Sequence, residues 1–326
     1  MSNLETAEDA MSTALQRDQE ALRRLCGQTF LQCLNDPLTL EILLNPDGTL
    51  WHERFGMEMV QVGTIPAADA EGILRTVAGC LDKVVTWDQP QLDGEFPLDG
   101  SRFSGALPPI VSNPMFAIRK PASRSFTLEE YVSSKTMTEA QKDILCQAVA
   151  ERKNILVIGG TSSGKTTLVN AIIEEMVHQK PHERHLIIED IREIRCTASN
   201  VVFLHTTDEV PMTKCVKQGL RLRPDRIHVG EVRDESALDL LDAWNTGHEG
   251  GVATVHANNA RLGLSRLRGL ISRNRYAPNH IEEIIGEAVH RIVFIAKTPE
   301  GRRIKEILAV DGYSHTKQEY SLQTIG

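Results

Sequence analysis

The apolar run Ile155-Leu156-Val157-Ile158 leads straight into Gly159-Gly160-Thr161-Ser162-Ser163-Gly164-Lys165-Thr166-Thr167. A buried strand, a glycine-rich turn and a helix start in that order leave the chain little choice of local fold. The glycines allow successive backbone N–H groups to turn inward around an anion. Lys165 supplies a point charge for β- and γ-phosphates, and the Thr166 hydroxyl can ligate Mg²⁺. A helix opening at Lys165 aims its positive end at the same anion. Residues 159–167 therefore read as the cradle of a nucleoside triphosphate.

A phosphate cradle of this type belongs to a parallel sheet, and the chain around it alternates accordingly. From Thr138 onward helices are predicted near 138–152, 165–178, 211–222, 234–245 and 260–290. Strands are predicted at 153–158, 185–189, 201–205, 226–230 and 251–255, with extended runs at 291–297 and 303–310. This is an α/β domain, residues 136–326, with ligand at the carboxyl ends of the strands.

The first 111 residues differ. Leu4, Ala7, Met11, Leu15, Leu22 and Leu25 recur at helical spacing, and the early acidic charges make this a core-packing helix rather than a membrane-surface one. Residues 40–44 and 49–53 flank the turn Asn45-Pro46-Asp47-Gly48 as a hairpin, 57–62 reads as a third strand, and 67–84 returns to helical period. A small α+β domain results. Residues 112–135, rich in Ser, Pro, Lys and Arg, read as a linker around one strand, Met115–Arg119.

With a net charge of −8, the surface as a whole does not favour nonspecific nucleic-acid binding. No apolar stretch is long enough to span a bilayer, and the acidic N-terminus does not resemble a signal peptide. The six scattered cysteines, without a C-x-x-C pair, read as reduced thiols. The expected compartment is the cytoplasm, with any association with the inner membrane made through partners.

Hydrolysis needs more than a cradle. Two predicted strands downstream each end in a carboxylate: Leu186-Ile187-Ile188 runs into Glu189-Asp190, followed by Glu193, and Ile227-His228-Val229-Gly230 into Glu231. A third, Val252 to Val255, ends at His256, placed to sense a γ-phosphate. Zinc binding by His248 and His256 lacks further ligands at suitable spacing.

Four blocks now resemble a known family: 159–167, Ile188-Glu189-Asp190, Leu220 through Asp234, and Thr246-Gly247-His248 with Thr254-Val255-His256-Ala257. In that order they look like the secretion ATPase superfamily, whose members power type II secretion, type IV pili and type IV secretion. Length, the small first domain and the lack of a cysteine insertion are most similar to the type IV secretion branch, nearest the TrbB-type conjugal transfer ATPases. The resemblance implies a RecA-like ATPase domain behind a PAS-like N-terminal domain, ATP and Mg²⁺ as ligands, and a homo-hexameric ring working with inner-membrane components of a secretion apparatus. It implies Glu189 as general base, Glu231 holding Mg²⁺ through a water, and His256 as γ-phosphate sensor. Arg102 and Arg119 match the arginines that reach the γ-phosphate from the first domain or linker.

Arg221, Arg223, Arg226 and Arg233 crowd one strand, and the sequence does not rank them. The stretch Arg261, Arg266, Arg268, Arg273 and Arg275 reads as a solvated face or ring interface, so direct DNA binding is not expected as the primary activity. The alternatives to a secretion motor are a RecA-like DNA motor or helicase and a nucleotide-gated scaffold without turnover. A GTPase is disfavoured by the lack of N-K-x-D.

Overall fold

The computed structural model describes residues 2–54, 57–120, 125–207 and 209–326, with side chains from residue 16 onward. The chain divides into two units, Met1–Ser123 and Arg124–Gly326.

The first unit holds α1 (Ser2–Asn35), β1 (Thr39–Leu44), β2 (Thr49–Arg54), β3 (Val60–Thr64), α2 (Ala67–Cys80), β4 (Gln91–Glu95), β5 (Arg102–Ala106) and β6 (Met115–Arg119). Its six-stranded sheet runs β3-β2-β1-β6-β5-β4, antiparallel throughout. The strand inside the stretch read as linker is thus an inner strand, paired on both sides. The third strand starts at Val60 rather than Met57, because pairing with β2 begins at Val60 opposite His52. Leu22 and Phe30 of α1, Ile73 and Leu74 of α2, and the rings of Phe96, Phe103 and Phe116 fill the core. Gly27 breaks α1 at φ 74°. Leu4, Ala7, Met11 and Leu15 lie outside the described side chains.

The second unit continues with α3 (Leu128–Ser133), α4 (Glu139–Ala150), β7 (Ile155–Ile158), α5 (Lys165–Gln179), β8 (His185–Glu189), β9 (Val201–His205) and α6 (Met212–Gly219). Then come β10 (Arg226–Val229), α7 (Ala237–Asn245), β11 (Val252–Val255), α8 (Ala260–Ile271), α9 (Ile281–Ala288), β12 (Arg291–Thr298), β13 (Gly301–Ser314) and β14 (Glu319–Thr324). The eight-stranded sheet runs β14-β13-β12-β7-β11-β10-β8-β9. Its pairs from β12 through β9 are parallel, and β13 and β14 add an antiparallel edge. Strands β7, β8, β10 and β11 are buried at every position, as a parallel sheet covered on both faces requires.

The two ends of this sheet carry different polar groups. At the amino ends, Arg226 is fully buried. Its Nε pairs with Glu183, Nη1 donates to the Gly250 carbonyl at 2.9 Å and Nη2 to the Val149 carbonyl at 3.3 Å. Arg152 shares the Glu183 carboxylate. Beside them Asn154 donates to the Ala288 carbonyl and accepts from the Gly250 and Gly251 amides. One of the four clustered arginines is therefore a core residue, held where its guanidinium has partners on all sides.

Two histidines complete that end. The Val252 amide donates to His228 Nδ1 at 3.2 Å, which leaves the proton on Nε2 for His185 Nδ1 at 3.0 Å. Burial and then the nearby Arg226 charge push His185 down to about 4. Burial, His185 and Arg226 drive His228 well below its usual range. Both are neutral when folded, so their stabilising share is complete above pH ~6.5, where the unfolded histidines are also neutral. As pH falls toward about 4 the unfolded chain takes up protons that the folded pair refuses. The urea midpoint is expected to fall across that window, and His185→Gln should flatten the slope relative to wild type.

Candidate functional site

At the carboxyl ends the register brings the predicted residues together. Ile158 lies opposite Val255, and Val229 pairs with both Ala253 and Ile188. The loop after β7, His256 after β11, Glu231 after β10 and Glu189 closing β8 therefore share one edge.

The loop is built to close tolerances. A Cβ on Gly159 would stand 2.4 Å from the Ile295 carbonyl oxygen of β12 and 2.4 Å from Ser163 Oγ. Gly164, the N-cap of α5, has φ 95°, a left-handed conformation that glycine adopts without strain. Ser163 Oγ is buried with no hydrogen-bond partner among the described residues. Lys165, 7% exposed, donates from Nζ to the Gly160 carbonyl at 2.9 Å and lies 3.3 Å from each ring nitrogen of His256. A polyphosphate fits this cradle: glycine where a side chain would fill it, a helix N-terminus, a buried hydroxyl and a buried ammonium.

The carboxylates divide into two kinds. Glu189 is 2% exposed, and its Oε2 accepts from the Glu193 and Ile194 amides at 3.0 and 2.9 Å. It folds the chain after β8 into a tight turn. That turn delivers Glu193, whose Oε2 receives the Thr166 hydroxyl proton at 3.1 Å. Asn170, on the same face of α5, donates to the Glu193 carbonyl at 3.3 Å and accepts from the Arg195 amide at 3.0 Å.

Glu231 is half-buried between Arg233, whose Nη2 donates to Oε2 at 2.7 Å, and His256, whose Nε2 is 3.3 Å from Oε1. Burial alone would raise its carboxyl. The Arg233 hydrogen bond, with the charges of Arg233, His256 and Lys165, outweighs burial and holds it below the usual range. Arg233 also reaches Asp190 at 3.4 Å. Thr166, Glu193 and Glu231 offer oxygen ligands of the kind Mg²⁺ accepts. The described residues contain no cluster of three or more His, Cys, Asp or Glu able to hold a metal alone. A Mg²⁺ ion here would depend on nucleotide oxygens and water, its usual habit in phosphate sites.

Arg102 and Arg119 belong to the first unit, directly opposite each other on β5 and β6. The register continues the row as Glu95, Arg102, Arg119, Glu41 and Glu53, and Arg119 pairs with Glu41 at 2.6 Å. Arg221 and Arg223 are exposed. Sequence reasoning gave no role to Glu193 or Asn170 and left Arg233 unranked among four arginines. The signal for Asn170 was present, a lone amide within Leu168-Val169-Asn170-Ala171-Ile172-Ile173. For Glu193 it was only a carboxylate four residues past a strand end.

A family model described as "Type II/IV secretion system protein" matches residues 101–304. The chain is 48% identical to the probable conjugal transfer protein TrbB of Sinorhizobium fredii (strain NBRC 101917 / NGR234), over 92% of this chain and 91% of that one. It is 46% identical to the conjugal transfer protein TrbB of Rhizobium radiobacter, over 95% and 97% respectively. Among solved structures it is similar to the Legionella pneumophila ATPase DotB, with a TM-score of 0.63 at 19% identity, covering 86% of this chain and 79% of that one. That last likeness is one of fold.

Asn170→Ala would leave the Glu193 carbonyl and Arg195 amide without their partner, at a cost of about 1–3 kcal/mol. The urea midpoint should drop accordingly. Limited trypsin digestion should cut at Arg192 and Arg195 faster than in wild type.

Proposed function

This chain belongs to the Type II/IV secretion system protein family, and we propose that it is an ATPase motor of type IV secretion and conjugal transfer. One observation carries the chemistry. Lys165, Thr166, Glu193, Glu231 and His256 converge on one edge of the sheet through contacts of 3.3 Å or less.

In this reading the amides of 159–167 and the Lys165 ammonium bind the phosphates of ATP. Thr166 and, through water, Glu231 hold Mg²⁺, which when bound neutralises charge on the β- and γ-phosphates. Lys165 leaves the Gly160 carbonyl for a phosphate oxygen. His256, between Lys165 and Glu231, registers that exchange as a γ-phosphate sensor. Water must be oriented for attack by a carboxylate at the loop. Family resemblance gives that role to Glu189, which is 2% exposed and whose Oε2 accepts from two backbone amides, with Oε1 buried beside it. We assign it to Glu193, which faces Thr166, and give Glu189 the part of shaping the turn that presents it. Arg102 and Arg119 would supply positive charge to the γ-phosphate. Arg119 would exchange its Glu41 partner for the phosphate in doing so.

The same reading takes the second unit as RecA-like and the first as PAS-like. The working assembly is a homo-hexameric ring at the cytoplasmic face of the inner membrane, bound there through components of the apparatus. Among the described residues no helix is long and apolar enough to cross a membrane.

Purified protein should release phosphate from ATP. Lys165→Ala is expected to weaken nucleotide binding on the order of 10- to 100-fold. Glu193→Gln should keep binding and lose turnover by about 10²- to 10⁴-fold. Glu189→Gln should lower the unfolding midpoint and cost less turnover; the opposite ranking returns the base to Glu189. Absence of turnover in wild type would leave a nucleotide-gated scaffold. Light scattering with a nonhydrolysable ATP analogue should report a hexamer, and a strict monomer would remove the ring.

A further inference from the structure

The hairpin β12–β13 touches the phosphate loop from outside, and one side chain on it has no part in the chemistry so far. Arg302, next to the turn of this hairpin and opposite Lys297 in register, sends Nε and Nη2 to the Ser162 carbonyl, each at 3.4 Å. Its Cδ lies 2.9 Å from where a Cβ on Gly164 would stand. The stem of the arginine thus fills the space that glycine leaves at the N-cap of α5, and its head closes on the loop two residues earlier.

We propose that Arg302 is a positioning residue of the phosphate loop: it holds the Ser162 carbonyl outward and so presents the Ser163 amide to the phosphates. The proposal rests on the nucleotide-binding reading above. Ser162 has φ 55°, a conformation that non-glycine residues adopt at a cost and keep only when their surroundings hold them. The Ser162 carbonyl and the Ser163 N–H belong to one planar peptide and point to opposite sides of it. Two donors from a cation on the oxygen fix that plane and make the N–H a stronger donor.

Ser163 is poised for such a ligand. Among the described residues its amide reaches the Gly160 carbonyl at 3.4 Å, longer than the ~2.9–3.0 Å usual for such bonds. Single and uncharged, that contact exchanges for a phosphate oxygen more readily than the two charge-assisted contacts of Arg302 at the same distance. The Ser163 hydroxyl is buried on the same residue. Arg302 therefore acts on the phosphates through Ser163.

The support of Arg302 is itself firm. The Ile304 amide donates to the Thr136 carbonyl at 2.8 Å, fixing β13 two residues on. Backbone contact between β12 and Gly159 sets the separation between hairpin and loop.

The test uses the full chain and N-methylanthraniloyl-ADP as fluorescent probe. Arg302→Ala should raise Kd about 3- to 10-fold, the range for losing one ordinary hydrogen bond, since Arg302 acts on the phosphate only through Ser163. KM for ATP should rise in step, with kcat within about twofold of wild type. Arg302→Lys keeps the charge but not the two-donor fork, so it should recover only part of the affinity. Lys305→Ala, which removes an exposed charge from the same strand, should change nothing. In the nucleotide-free protein, hydrogen exchange at 160–165 should quicken in Arg302→Ala.

An unchanged Kd, full rescue by lysine, or a fall in kcat at constant KM would each overturn the proposal. If wild type fails to bind the probe, the nucleotide reading falls instead. The exchange measurement on the free protein then still decides whether Arg302 holds the loop.

Discussion

Gly159 stands where strand β7 ends, and the room around it is set by backbone rather than by side chains. A carbonyl of β12 and the hydroxyl of Ser163 occupy the space a Cβ would need. Because β12 pairs in parallel with β7 along its whole length, that approach is fixed by the sheet and does not depend on ligand. The loop must then leave the strand by one route, with its amides inward, Gly164 left-handed and Lys165 at the first turn of α5. Everything placed on the carboxyl edge is positioned relative to this point. His256 follows Val255, the partner of Ile158, and Glu231 and Glu189 follow one and two strands further out.

The opposite edge shows what it takes to keep such a sheet in register. Arg226, Glu183, Arg152 and Asn154 tie the amino ends of β7, β10 and β11 to the chain before β8 and to the end of α9. Buried charge there has partners on every side, and the adjoining histidines are held neutral. At the carboxyl edge the polar groups face the loop instead: Lys165 reaches the Gly160 carbonyl and His256, Ser163 keeps a long contact, and Glu231 is shared between Arg233 and His256. Stability is concentrated at one end of the strands, and exchangeable polar contacts are left at the other.

Much of this was legible in the sequence because it is written in local patterns. The loop, four buried parallel strands and the carboxylate or histidine that ends three of them follow from runs such as Ile155–Ile158 and Leu186–Ile188. What was not legible depends on pairing at long range. Glu193 gains its place only because Glu189 folds the turn and Asn170 pins it, contacts between segments that no periodicity marks. Arg226 could not be ranked among four clustered arginines until the partner Glu183 and two carbonyls enclosed it. β14, with Tyr320 and Leu322 turned to the core between polar neighbours, has the alternation of a strand but lacked a reason to be preferred over a polar tail. Met115–Arg119 was readable as a strand, but its inner place in the first sheet was hidden by a composition typical of linkers.

The proposed division between Glu189 and Glu193 rests on the same physics. A carboxylate that is nearly inaccessible and accepts two backbone amides on one oxygen ties those amides into a turn. Such a group is best used to hold a turn. A carboxylate at the end of that turn that accepts from the Thr166 hydroxyl can exchange that bond when a ligand arrives and orient a water in its place. Conserving energy in the turn and flexibility at its tip requires two acids, four residues apart, and the chain has them at 189 and 193. The arrangement at Ser162 and Ser163 repeats the principle in the backbone: one group is held from outside so that its neighbour is free to face the phosphate.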